Sequence, residues 1–134
     1  MKRYFVLTLS ITLLCVVVAD NFPAQSQSNV KPKEKGSASI TFIELGSVNC
    51  IPCRLMQPVM KSIGKKYGNQ INVVFYDIWT REQSKYAQVY GIRVIPTQVF
   101  LDKEGKEVFR HEGFFPEAEI DKLVQKHGLT ARTK

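Results

Sequence analysis

The pattern of apolar and polar positions divides the chain into three stretches. Behind Met1-Lys2-Arg3, residues Tyr4 to Ala19 form an uncharged apolar run. Asp20 to Ser37, "DNFPAQSQSNVKPKEKGS", is polar, rich in Pro, Gln, Ser and Lys, and without apolar period, which reads as a flexible linker over residues 20–37. From Ala38 regular periods begin. Ser39–Leu45, "SITFIEL", is apolar and β-branched and predicts a buried strand. Between Arg54 and Tyr67, Leu55, Met56, Val59, Met60, Ile63 and Tyr67 recur at the spacing of an amphipathic helix, which Gly68-Asn69 ends. Ile71–Asp77, "INVVFYD", predicts a second strand, and Arg81–Tyr90 a second helix stopped at Gly91. Thr97–Asp102 and Glu107–Glu112 predict two strands of a hairpin turned through "DKEGK". Pro116–His127, followed by Gly128, predicts a closing helix. The order β-α-β-α-β-β-α predicts an α/β domain over residues 38–134: a central mixed four-stranded sheet flanked by helices, with parallel strands in its first half and an antiparallel pair at its end.

The 134 residues suffice for one domain with a modest core. The formal net charge is +7, but no basic run is interleaved with aromatics as a nucleic-acid groove requires. The charge is therefore read as solvated surface, and no nucleic-acid partner is expected. The two charges at Lys2 and Arg3 ahead of a short apolar run have the layout of an export signal, with Val17-Val18-Ala19 as a cleavage site. As a helix the run would rise about 24 Å, short of the ~30 Å hydrocarbon core of a bilayer. Residues 1–19 are thus read as a signal peptide, with a retained membrane anchor through residues 4–19 as the alternative. A lipidated Cys15 would call for a small residue before it, and Leu14 is not one. The expected location is outside the cytosol, in a periplasm or on the outer face of the cytoplasmic membrane. Cleavage would remove Cys15 and leave Cys50 and Cys53 as the only cysteines, where a pair can persist oxidised.

That pair, in "GSVNCIPC", lies between the first strand and the amphipathic helix. Cys50 falls near the helix N-terminus, where unpaired N–H groups and the positive dipole end favour the thiolate, the attacking species in disulfide exchange. Cys53 is one turn further on, within reach of a mixed disulfide at Cys50, and Pro52 suits a first helical turn. A zinc site needs about four ligands. This pair supplies two, and His111 and His127 lack the spacing to complete it. Two thiolates alone can hold a soft ion such as Cu(I). A structural disulfide over so short a loop would constrain little of the unfolded chain. Redox exchange is the favoured reading, with no cofactor and no resident metal.

The pair and its surroundings resemble the thioredoxin superfamily over roughly Ser39 to Leu129. The resemblance rests on the strand–Cys-x-x-Cys–helix order, on Pro58 five residues after Cys53, on "YGIRVIPT" from Tyr90 to Thr97, and on Gly113 after the last strand. It implies a thioredoxin-like fold with Cys50 as nucleophile, Cys53 as resolving thiol and a redox-active Cys50–Cys53 disulfide. It makes Pro96 a cis-proline beside the pair and the Ile95 backbone a partner for a substrate chain. Glu44, six residues before Cys50, matches the position of a buried acid that relays a proton for the resolving cysteine. Both its neighbours are apolar, so burial follows from the pattern too. The chain departs from the family at Asn49, where a Trp is usual, at Ile51-Pro52, where Gly-Pro is usual, and in "INVVFYD", which lacks a lysine that often accompanies the acid. Ile51 and Pro52 are expected to contact the substrate. The sole tryptophan, Trp79, follows the second strand, where a loop packing role is as well supported as a functional one.

Strong oxidants of the family tend to carry His between the cysteines; this pair has none, so the thiolate is less stabilised and the potential lower. The expected role is a monomeric reductant of protein disulfides outside the cytosol, apocytochrome c among the substrates, supplied by a membrane-embedded electron donor. An exported copper metallochaperone on the same fold is the alternative.

Overall fold

The computed structural model describes residues 38–132. The signal and linker readings for residues 1–19 and 20–37 lie outside the described residues. Four strands and three helices follow in order: β1 (Ile40–Gly46), α1 (Ile51–Tyr67), β2 (Ile71–Asp77), α2 (Lys85–Val89), β3 (Thr97–Asp102), β4 (Glu107–Glu112) and α3 (Glu117–Lys126), with a short 3-10 turn at Gly68–Gln70. The strands form one sheet in the order β2-β1-β3-β4. β1 and β2 are parallel, while β1–β3 and β3–β4 are antiparallel, so the expected mixed four-stranded sheet is present.

β1 is central, and all seven of its residues are buried, which is why its sequence is a nearly continuous apolar run. Its even-numbered residues face α1 and α3. There Ile40 and Phe42 join Met56, Met60, Ile63 and Tyr67 of α1, Ile120 and Val124 of α3, and Phe100 of β3. Phe42 and Phe100 stack with ring centres 4.7 Å apart. The odd-numbered Ile43 and Leu45 pack on the other face with Val99, Leu101, Tyr76 and Tyr90, and α2 lies over them through Tyr86 and Val89.

α1 begins at Ile51 rather than Arg54. Cys50 is its N-cap residue, with φ −97° and ψ 122°, and Pro52 stands in the first turn, where its missing N–H leaves no bond unmade. The periodicity missed this turn because Ile51 and Pro52 are both exposed and add nothing to the apolar stripe. The second predicted helix, Arg81–Tyr90, is a correction of a different kind: only Lys85–Val89 is helical, and the residues before it are turns. Side chains there take over the backbone groups. Gln83 Oε1 accepts the Asp77 N–H at 2.8 Å, Asp77 Oδ1 accepts the Trp79 N–H, and Thr80 Oγ1 donates to the Asp77 carbonyl. Such local bonds compete with a helical ladder.

α3 is fastened to α1 by a polar cluster. Lys66 Nζ donates to Glu117 and Asp121, both at 2.6 Å, Tyr67 Oη donates to Asp121, and Ser62 Oγ donates to Glu117. The bond to Asp121, then that to Glu117, holds the Lys66 ammonium well above its usual pKa. The cluster is about one-third exposed, so its worth is modest. Lys66→Met is expected to lower stability by ~1 kcal/mol, read as a lower urea midpoint with an unchanged slope. A shift indistinguishable from zero would show that the apolar contact of Ile120 and Val124 alone holds α3.

Candidate active site

The site forms where β1 ends and α1 begins. Gly46 closes β1, and Ser47 to Asn49 turn the chain toward the helix. The Cys50 N–H donates to the Ser47 carbonyl at 3.1 Å, and the Asn49 N–H to Ser47 Oγ at 3.2 Å. The Val48 N–H is held by Asp77 Oδ2 at 3.2 Å. Asp77 therefore ties the turn before Cys50 to the Trp79 turn after β2. Sequence reading missed this role, since an acid at a strand end looks the same whether or not it caps another loop.

Cys50 and Cys53 are joined as a disulfide, with Cα atoms 5.3 Å apart. The two sulfurs differ in surroundings: Cys50 retains 8% exposure and Cys53 none. Cys53 lies against β1 at Gly46, where a Cβ would come within 3.1 Å of both Cys53 Cβ and Sγ. The helix approaches the strand this closely because position 46 has no side chain.

Glu44 lies two residues before Gly46, on the same face of β1, about 7 Å back along the strand. It is fully buried. Burial pushes its carboxyl up to about 8, against the smaller opposing pull of a hydrogen bond from Gln98. Opposite it on β2 stands Phe75, an apolar side chain where a lysine would bring a charge. Opposite it on β3 stands Gln98, also fully buried, whose Nε2 donates to Glu44 Oε2 and to the Gly113 carbonyl, each at 3.0 Å.

Pro96 sits one residue beyond the last β1–β3 pair, Leu45 with Thr97, and hence beside Gly46. The Ile95–Pro96 peptide bond is cis. The Pro96 carbonyl accepts the Gly113 N–H at 2.8 Å, and Gly113 makes the bend after β4 at φ +93°, a conformation suited to glycine. Among the described residues no backbone hydrogen bond takes up the Ile95 N–H or carbonyl. The structure thus brings Cys50, Cys53, Glu44 and Pro96 around Gly46, with Ile95 half-buried at the rim and Ile51 and Pro52 exposed beside it.

Large apolar side chains stand exposed in the loops and first helical turns around the pair: Val48, Ile51, Leu55, Trp79, Val94 and Phe114. Trp79, Val94 and Ile95 help to line a groove of about 260 Å³. Trp79 is 60% exposed, which removes it from the core and leaves it available at the surface.

A strand–dithiol–helix site on this mixed sheet defines a thiol–disulfide redox protein, and the comparisons agree. The Thioredoxin-like domain family matches residues 25–128. Thioredoxin from Bacillus subtilis is 33% identical over 91 residues, covering 68% of this chain and 85% of that one. Thioredoxin 1 from Synechococcus elongatus is 36% identical over 104 residues, covering 78% of this chain and 94% of that one. Among solved structures, an N21Q mutant thioredoxin from Halobacterium salinarum superposes with a TM-score of 0.60 at 22% identity, over 67% of this chain and 75% of that one, a likeness of fold. The thioredoxin of Malassezia sympodialis gives 0.58 at 27% identity, over 69% and 77%. The chain belongs to the thioredoxin superfamily.

Proposed function

We propose that the chain is an exported thiol–disulfide oxidoreductase that reduces disulfides in extracytoplasmic proteins. The observation that carries the redox reading is the asymmetry of the pair: Cys50 partly accessible at the N-terminus of α1, Cys53 sealed against Gly46 with Glu44 on the same face. In the reducing half-reaction the Cys50 thiolate attacks one sulfur of a substrate disulfide. The substrate S–S bond breaks, one substrate thiolate leaves, and a mixed disulfide forms at Cys50. Glu44, when ionised, takes the proton of the Cys53 thiol. The Cys53 thiolate attacks Cys50 Sγ, the mixed disulfide breaks, and the second substrate thiolate leaves. The substrate gains two electrons, and the protein ends as the Cys50–Cys53 disulfide. A dithiol donor must then reduce that disulfide, and for an exported protein this is a membrane-embedded reductase.

The Ile95 backbone, in the bend before β3 and bonded to no other backbone group among the described residues, and the apolar rim suit an extended polypeptide substrate: the bend offers main-chain hydrogen bonds, and Ile51, Pro52 and Trp79 offer apolar contact. Apocytochrome c is one such substrate class. Export rests on Lys2-Arg3 and the apolar run Tyr4–Ala19. Direction rests on Ile51-Pro52, which supplies no cation to the Cys50 thiolate.

Two measurements test this. The protein is expected to catalyse insulin reduction by dithiothreitol, and its potential is expected below about −200 mV. A potential above roughly −150 mV would assign it to the oxidants. Tight Cu(I) binding in dialysis with no insulin turnover would replace the enzyme with a metallochaperone.

A further inference from the structure

We infer that Gln98 is a positioning residue for proton transfer at the cysteine pair: it fixes the Glu44 carboxyl with Oε1 as the proton-carrying oxygen and links it to the loop that bears Pro96. The inference rests on the redox reading above.

Gln98 lies in the most thoroughly buried part of β3, between Thr97 and Val99 and two residues from Phe100, all without exposure. A carboxamide is costly in such a place unless its groups are paired. Nε2 has two protons, and both are used: one on Glu44 Oε2, one on the Gly113 carbonyl. Both partners are acceptors, so the amide has one workable orientation. Turned over, it would set its carbonyl oxygen against two oxygens.

The second link runs onward from Gly113. Its carbonyl accepts from Gln98, and its N–H donates to the Pro96 carbonyl. Carboxyl, carboxamide, Gly113 and Pro96 therefore form one continuous hydrogen-bonded chain from the face of β1 that carries Gly46 to the loop that bears Pro96. A displacement of Glu44 is resisted by the backbone of that loop.

The third observation concerns what is left over. Among the described residues, Glu44 Oε1 and Gln98 Oε1 are buried and meet no hydrogen-bond partner. Gln98 donates to Oε2, so the proton of the neutral acid resides on Oε1. An apolar residue at 98 would leave both carboxyl oxygens unassisted and the proton free to sit on either.

The titratable groups on the elements packed around Glu44 are few. α1 contributes Cys53 and Tyr67, whose hydroxyl donates to Asp121, and α3 the Glu117–Asp121 pair, already bound to Lys66. β4 contributes His111, which pairs with Gln98 across the ladder, stacks on Phe115 and meets the Phe114 carbonyl through Nε2. β2 presents neutral Phe75, and Asp77 at its end is turned to the Val48 and Trp79 amides.

The test uses Gln98→Met, unbranched and close in length, alongside the unaltered protein. Glu44 is followed by its side-chain carboxyl ¹³C signal and Gln98 by its side-chain ¹⁵N signal across pH 5–10. In the unaltered protein both Gln98 N–H protons are expected to exchange slowly, and the ¹⁵N shift is expected to titrate with the Glu44 midpoint. In Gln98→Met that midpoint is expected to rise by at least about half a unit, because the anion has lost its donor. Insulin reduction at pH 7 is expected to fall about three- to tenfold, with the pH–rate profile displaced to higher pH. In a Glu44→Gln background the same substitution is expected to cost less in rate than it does in the unaltered protein, because only the loss of the Gly113 bond remains. A pH-independent Gln98 amide overturns the inference even if Gln98→Met does not fold. An equal loss of rate in both backgrounds also overturns it, since that is the mark of a merely structural role. An unaltered protein that never reduces insulin overturns the redox reading, while the two titrations still decide whether Gln98 orients Glu44.

Discussion

Cys53→Ser is expected to stop turnover after the first attack and to accumulate the protein as mixed disulfides through Cys50. Multiple-turnover insulin reduction should fall on the order of a thousandfold or more, as when one member of a catalytic unit is removed. Cys50→Ser should lose the same activity but trap nothing. The difference follows from where the sulfurs sit. Cys50 is the N-cap of α1, facing the unpaired amides of its first turn, and it keeps some exposure. The Cys53 sulfur has none, and lies against the β1 backbone at Gly46. A substrate sulfur can therefore reach Cys50 in line, while Cys53 meets only a disulfide already made there. Non-reducing electrophoresis with mass spectrometry of the linked peptides reads the outcome and names the trapped proteins. Equal trapping through Cys53 in the Cys50→Ser protein would reverse the two roles and remove the reason for placing Glu44 with the resolving thiol.

How much of this was legible depended on whether the signal was local. β1, β2 and the β3–β4 hairpin could be placed because their apolar runs and the "DKEGK" turn are contiguous in sequence. The turn is held as its residues suggest: Asp102 accepts the Glu104 and Lys106 amides, and Gly105 takes φ +81°. The cysteine pair and its helix were equally local. The second helix was overestimated because apolar spacing cannot register side chains such as Gln83 and Thr80 that bond back to Asp77. Gln98 was invisible for a different reason. In "TQVFL" it is one polar residue in a strand, and its meaning depends on a register that sets it opposite Glu44, 54 residues earlier. Gly46 likewise reads as a strand end until α1 is seen to press Cys53 upon it. Pairings between distant segments carry the site's second layer, and no periodicity within one segment encodes them.

Glu44→Gln is expected to make the protein slower and, above pH 5, more stable. In the folded state burial raises the Glu44 pKa from 4.5 to about 8, so the fold binds this proton more tightly than the unfolded chain does. Its contribution is thus fully present below about pH 4.5 and lost as pH rises through about 8. Over that window stability falls by up to ~1.4 kcal/mol per pH unit. The amide has no such proton, so the gap between variant and unaltered protein should widen by on the order of 3 kcal/mol between pH 4 and pH 7. Urea unfolding of both proteins at each pH isolates the effect, because every other titrating group is common to them. The rate should move the opposite way. At pH 7 about a tenth of Glu44 is ionised, enough to accept the Cys53 proton. Losing that base should slow disulfide exchange by about 10- to 100-fold, with the deficit growing as pH rises toward 8. A gap that stays constant with pH would mean that Glu44 titrates as an ordinary carboxylate despite its burial. An exchange rate unchanged across pH 6–8 would leave the Cys53 proton to solvent and take Glu44 out of the mechanism. If both shifts occur, the same carboxyl weakens the fold and drives the chemistry, and its burial on the core face of β1 is the common cause.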